Sequence, residues 1–181
     1  MAQQYVALFR GINVGRAKRI AMADLRRIMD GLGLQDVQTI LASGNVVFAT
    51  ARTRQPGPLA ASIRRAVLEA TGIDAAVTVI DAVTWRAMVA GNPLGEVATD
   101  PSRLLMVVPR DPARRDDLTA LTRQDWGAEA LAVGDLAAYA WCPDGVLASR
   151  VLAAVDKVLS GESTARNWAT VTKVSRVLND R

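Results

Sequence analysis

The chain predicts an α+β fold of two ferredoxin-like parts, and three observations in its 181 residues carry that expectation. Short β-rich runs and amphipathic stretches alternate in the order β-α-β-β-α-β, which is the order that ferredoxin-like folds use. The pattern then nearly repeats as β-α-β-β-α plus a C-terminal helix, with glycines and prolines punctuating the junctions. Half of the residues are apolar and 22% are charged, a balance that buries a core and excludes wholesale disorder.

Residues 5–9 are short, β-rich and followed by Gly11, a first strand. Met22, Leu25, Ile28, Met29 and Leu32 recur at helical spacing, and Gly33 stands as the C-terminal stop. Residues 37–42 and 46–49 read as two further strands around Ser43-Gly44-Asn45, a hairpin signal because Gly and Asn tolerate positive φ. Leu59, Ile63, Val67 and Ala70 mark a second helix ended by Gly72, and residues 75–80 alternate toward a fourth strand. A short helix over 83–89 leads to a linker near 92–102, which divides the chain into parts 1–91 and 92–181. Beyond it come a strand over 104–108, a helix over 112–121 opened by Pro112, and strands over 130–133 and 136–141. Leu147, Val151, Leu152, Val155 and Leu159 then share one helical face, and a last helix covers about 168–178 in place of a closing strand.

One topological consequence matters most. A right-handed crossover makes the first two strands parallel, and the tight hairpin forces the third between them. The segments Arg10-Gly11-Ile12-Asn13 and Ser43-Gly44-Asn45 are therefore expected side by side at one edge of the sheet.

The chain contains no histidine, so the usual Ser-His and Cys-His nucleophiles and the usual zinc sites have no ligand or base to use. A single cysteine, Cys142, forms no internal disulfide and reads as half-buried and inert. No apolar run has the length of a membrane span, and MAQQYVALF lacks a basic region with a cleavage site, so a cytoplasmic protein is expected. Residues 1–80 hold ten Lys and Arg against five Asp and Glu, whereas residues 81–181 hold twelve against thirteen. The positive surplus thus belongs to the first part, where it either attracts phosphates or reflects an arginine-rich composition.

Three constellations follow. In the opening loop Arg10, Arg16, Lys18 and Arg19 supply cations, Gly11 and Gly15 allow close backbone approach, and a helix N-terminus follows. The loop lacks the spacing of a Walker A or dinucleotide motif, and a solvated strand-to-helix link with geometric glycines is the competing reading. Asn13, Ser43 and Asn45, beside Gly44, are placed to hydrogen-bond an anion held by Arg10. In STARNWATVTK, Trp168 keeps helical spacing with the core, Thr164 or Asn167 caps the helix, and Arg166 and Lys173 are candidate ligand contacts or salt-bridge partners. An RNA-reading sheet of the RRM type lacks its aromatic run here.

FRGINVGRAKRIAMADLRRIMDGLGLQDVQTILASGNVVF, NPL at residues 92–94, YAWCPDGVLASR and TARNWATVTK resemble segments of the DUF1697 family, a bacterial family of unknown function. The resemblance covers nearly the whole chain and implies two ferredoxin-like parts, with no established activity, substrate or cofactor. It concentrates attention on residues 10–15, on Ser43, Gly44 and Asn45, and on Arg166, Asn167 and Trp168. Arg16 stands where the family usually has a second glycine, and Ala17 where a lysine is common.

The expected function is binding of a small phosphorylated or carboxylated ligand, including nucleotides, at the edge built from the RGINVGR loop and the SGN turn. The alternative is sequence-tolerant nucleic-acid binding by the basic first part. No catalytic residue, metal or cofactor is assigned; an enzyme here would work by arginine electrostatics with a carboxylate or lysine as base. Unpaired edge strands leave room for a homo-oligomer.

Overall fold

The computed structural model describes residues 2–14 and 19–180. The first part contains strands β1 (Gln3–Arg10), β2 (Gln35–Ile40), β3 (Asn45–Thr50) and β4 (Ala76–Asp81), with helices α1 (Met22–Gly31) and α2 (Pro56–Thr71). Their order in the sheet is β2-β3-β1-β4, and every neighbouring pair is antiparallel. β3 therefore lies between β1 and β2, as the crossover argument requires.

Alternation along the strands decides which face meets the helices. Tyr5, Ala7 and Phe9 of β1, Val46 and Phe48 of β3, and Val77 and Val79 of β4 form one core with Leu25 and Met29 of α1 and Leu59, Ile63 and Val67 of α2. Tyr5 and Phe48 are register partners whose rings stack with centroids 5.6 Å apart. The Tyr5 hydroxyl donates to the carbonyl of Arg54 and accepts from its N–H, both at 2.8 Å, which pins the loop before α2. Gly72 closes α2 at φ +70, the left-handed stop that its sequence position predicts.

The second part repeats the sheet order as β6-β7-β5-β8, built from β5 (Leu104–Pro109), β6 (Ala130–Val133), β7 (Ala138–Trp141) and β8 (Ser163–Asn167). Its helices are α3 (Ala82–Ala90), α4 (Arg150–Val158) and α5 (Trp168–Asn179), the first and last shared with the other part. β8 is a closing strand where the sequence suggests none, so this part too is a complete ferredoxin-like unit. β8 pairs with β5 through Val108–Thr164 and Met106–Arg166. Its composition, Ser-Thr-Ala-Arg-Asn, has no apolar alternation to announce it.

Pro112–Arg123 is wound as 3-10 helix, not α-helix. The buried residues of this segment, Leu118 and Leu121, are three apart, which suits three residues per turn. Asp111 starts it by accepting from the Ala113 N–H at 3.0 Å. Cys142 is fully buried in this unit's core with Leu105, Val107, Val151 and Val155, correcting the half-buried expectation. Burial pushes its thiol up, so it stays protonated at neutral pH.

The chain divides into two compact units, Met1–Trp85 with Lys173–Arg181, and Arg86–Thr172. Within the first, the Trp85 indole N–H donates to the Ser175 hydroxyl at 3.0 Å and ties the C-terminal segment to it. The two sheets remain separate, with edges at β2 and β4 and at β6 and β8.

Candidate functional site

β1 runs out of its sheet at Arg10, opposite Ala76 of β4. Gly11 then takes φ +72 and Asn13 φ +56, so the backbone reverses hand twice within three residues. Ile12, between them, is buried at the end of the core. Asparagine tolerates the left-handed region better than other side chains, which is one reason for its position.

The other reason is what its side chain does. Asn13 Nδ2 donates to the carbonyls of Ile20 at 3.0 Å and Ala42 at 2.7 Å, and its Oδ1 accepts from the Ile20 N–H at 2.9 Å. One carboxamide thus joins the end of β1, the start of the approach to α1, and the β2–β3 hairpin, 29 residues away from it in sequence. The predicted meeting of the two segments is present, and Asn13 is the staple that holds it.

The hairpin differs in detail from the Ser43-Gly44-Asn45 turn. β2 ends at Ile40, which pairs with Asn45, so residues 41–44 form the turn and Asn45 is the first residue of β3. Positive φ falls on Leu41 (+59) and Gly44 (+80), not on Asn45. Asn45 is fully buried; its Nδ2 donates to the Ile40 carbonyl and the Ser43 hydroxyl, each at 3.0 Å. Gly44 is required twice over. It accepts at its carbonyl from the Phe9 N–H at 2.8 Å, and a Cβ there would lie 2.6 Å from Ile12 Cδ1.

Arg10, Gly11, Asn13, Ser43, Gly44 and Asn45 therefore share one end of the first sheet. The amides of Asn13 and Asn45 build that end. Gly15, Arg16 and Lys18 lie outside the described residues. Arg19 is exposed and directly precedes Ile20, the residue that Asn13 grips. α1 begins at Met22, and among the described residues no side chain caps its first turn.

The remaining candidates sit elsewhere. Arg166 lies in β8 of the second unit and donates to Thr164 Oγ1 at 3.1 Å and to the Ala165 carbonyl at 2.8 Å. Burial pulls its guanidinium down to about 10, so it is still charged at neutral pH. Asn167, not Thr164, caps α5 by accepting from the Thr170 N–H at 2.9 Å. Trp168 meets Tyr139 edge-on at 6.4 Å, and the Tyr139 hydroxyl donates to the Met88 carbonyl. Burial pushes that phenol up to about 12, with Asp135 adding to the shift. Lys173 is exposed on α5, in the segment that belongs to the first unit. A shallow groove lined by Gln4, Asp36, Gln38 and Ala49 opens at the other end of the first sheet; its acidic Asp36 disfavours an anion.

A polar cluster that sequence reasoning missed closes α4 in the second unit. Ser149 caps the helix, accepting from the Leu152 N–H at 3.1 Å, and donates its own proton to Glu129. Glu129 also accepts from the N–H groups of Arg150 at 3.0 Å and Val151 at 3.2 Å. Burial raises this carboxyl, but the Ser149 hydroxyl, the two N–H groups and the Arg150 charge outweigh it, and the group sits below the ordinary glutamate range. A depressed carboxyl adds stability above its unfolded pKa and loses it as pH falls through the folded value. Glu129→Ala is expected to cost the second unit about 2 kcal/mol at neutral pH and less in acid, read by urea denaturation across that range. An equal loss at every pH would contradict the assignment.

Among the described residues, no group of three or more His, Cys, Asp and Glu is placed to hold a metal ion, and no helix is long and apolar enough to cross a membrane.

These features define a class: an α+β protein of two ferredoxin-like units, the first ending in a loop–hairpin rim stapled by one asparagine. The chain belongs to the DUF1697 family, described as a protein of unknown function, whose sequence profile matches residues 2–139. Among solved structures it is similar to "conserved bacterial protein SP0830 from Streptococcus pneumoniae", with TM-score 0.78 and 21% identity over 98% of this chain and 99% of that one. That likeness establishes the shared fold. No curated protein matches the chain in sequence.

Proposed function

We propose that the protein binds a small anionic ligand, phosphorylated or carboxylated, at the rim where the RGINVGR loop meets the SGN turn. The observation that carries this reading is the Asn13 staple, which fixes the backbone of Ile20 and Ala42 against the end of β1. Arg10 ends β1 three residues before Asn13 and Arg19 directly precedes Ile20, so both cations adjoin the hub along the chain. Among the described residues no side chain caps the start of α1, two residues beyond Ile20. Alternation of backbone hand, as along residues 11–13, is how short loops gather N–H groups around an anion. The cations at Arg16 and Lys18 belong to the same loop in sequence and add to its positive balance.

A titration followed by amide NMR tests the reading. Orthophosphate and phosphorylated sugars in low salt are expected to move the amide signals of Asn13, Ile20 and Ala42. A folded protein whose rim signals stay still across that panel would contradict it.

The second reading, nucleic-acid binding by the first part, is supported by the charge surplus of residues 1–80. It is weakened by ion pairs that occupy two of those arginines, Arg27 with Asp24 and Arg64 with Asp74. A gel shift separates the two, since retention of oligonucleotides that falls steeply with salt belongs to the second alone. A cytoplasmic setting is part of the proposal and is supported by the lone, buried Cys142. Assembly through the edge strands is part of it too, with β2 and β4 as the candidates in the first unit.

A further inference from the structure

The anion reading leaves two side chains of the rim without a role. Val14 is 71% exposed and Leu41 is 46% exposed. Both flank the staple: Val14 follows Asn13, and Leu41 precedes Ala42, whose carbonyl Asn13 holds at 2.7 Å. Leu41 is disfavoured on two counts. Its backbone sits at φ +59, a region that branched and bulky side chains avoid, and much of its side chain faces water. Asparagine or glycine would suit both the conformation and the exposure better. An apolar residue held there by the surrounding bonds is explained if something covers it in use.

We infer that the ligand is a nucleoside phosphate, its base lying on Val14 and Leu41 while its phosphate meets the Arg10 and Arg19 side of the hub. The inference rests on the anion reading and narrows it. A base has an apolar face that aliphatic side chains can cover, and a phosphate complements the arginines; an inorganic anion or a sugar phosphate uses only the second half of such a surface. Val14 follows the residue that owns the carboxamide, and Arg19 and Leu41 each precede a residue it binds, so the apolar and the cationic halves are arranged around one hub.

The test compares adenosine monophosphate, ribose 5-phosphate and orthophosphate on the intact protein, by calorimetry and by methyl NMR. Adenosine monophosphate is expected to bind about tenfold more tightly than ribose 5-phosphate and to shift the methyl signals of Val14 and Leu41. Leu41→Asn is expected to raise the melting temperature by about 2–5 °C and to erase that tenfold advantage, leaving ribose 5-phosphate binding unchanged. Val14→Ser, a change at an exposed position that does not disturb the core, is expected to reduce the same advantage. Equal affinities for the three compounds with silent methyls would overturn the base-binding inference and leave the anion reading standing. No binding of any of them would overturn both.

Discussion

Gly44→Ala is expected to destabilise the first unit by about 3–4 kcal/mol. Two costs add. The backbone at φ +80 is left-handed, where an alanine loses roughly 1–2 kcal/mol. The new Cβ would also stand 2.6 Å and 2.9 Å from Ile12 Cδ1 and Cγ1, and 2.7 Å from Phe9 Cβ, and overpacking of that kind costs about 1–3 kcal/mol. Ile12 is buried, and Phe9 Cβ belongs to a central strand bonded on both sides, so neither yields easily. Gly31→Ala is the contrast. Gly31 is in α1, exposed, with nothing within 4 Å of an added Cβ, and the change is expected to stabilise by about 0.5–1 kcal/mol. Urea midpoints of the two variants should move in opposite directions. A Gly44→Ala protein as stable as its parent would mean that the hairpin does not close on β1 as described.

Asn13→Ala is expected to cost about 2–4 kcal/mol and to loosen the rim. It removes two donated and one accepted hydrogen bond and leaves an alanine at φ +56. Asn13→Gly separates these terms, because glycine accepts the backbone conformation but makes none of the bonds. Its stability should lie between those of the parent and the alanine variant. Hydrogen exchange is the direct readout: the Ile20 amide, bonded to Asn13 Oδ1, should lose protection in both variants while the amides of β1 keep theirs. Unchanged protection at Ile20 would remove the staple from the account.

Asn13 also marks how far the sequence could be read. An asparagine between glycines in a basic loop looks like a ligand group, and its neighbours in sequence say nothing against that. Its actual partners are the carbonyls of Ile20 and Ala42, and only the folded chain supplies them. The meeting of its loop with the hairpin, by contrast, was legible, because crossover handedness and a short connection leave β3 one position in the sheet. Asn45 misled in the same way as Asn13: a turn residue by composition, it is a buried strand residue whose amide closes the turn from within. Leu41 reads as the continuation of an apolar strand, since nothing local forces a leucine into the left-handed region. β8 escaped notice because five mostly polar residues carry no period, and its pairing with β5 comes from tertiary context. Leu118 and Leu121, three apart, fit an α-helix and a 3-10 helix equally in sequence, so the choice between them was not available there.

Crystals of the protein soaked with adenosine monophosphate test the central claim most directly. Density for the phosphate within hydrogen-bonding distance of Arg10 or Arg19, beside the Asn13–Ala42 contact, is the predicted result. A well-ordered nucleotide bound elsewhere on the chain, with the rim open to solvent in the lattice and empty, would contradict it.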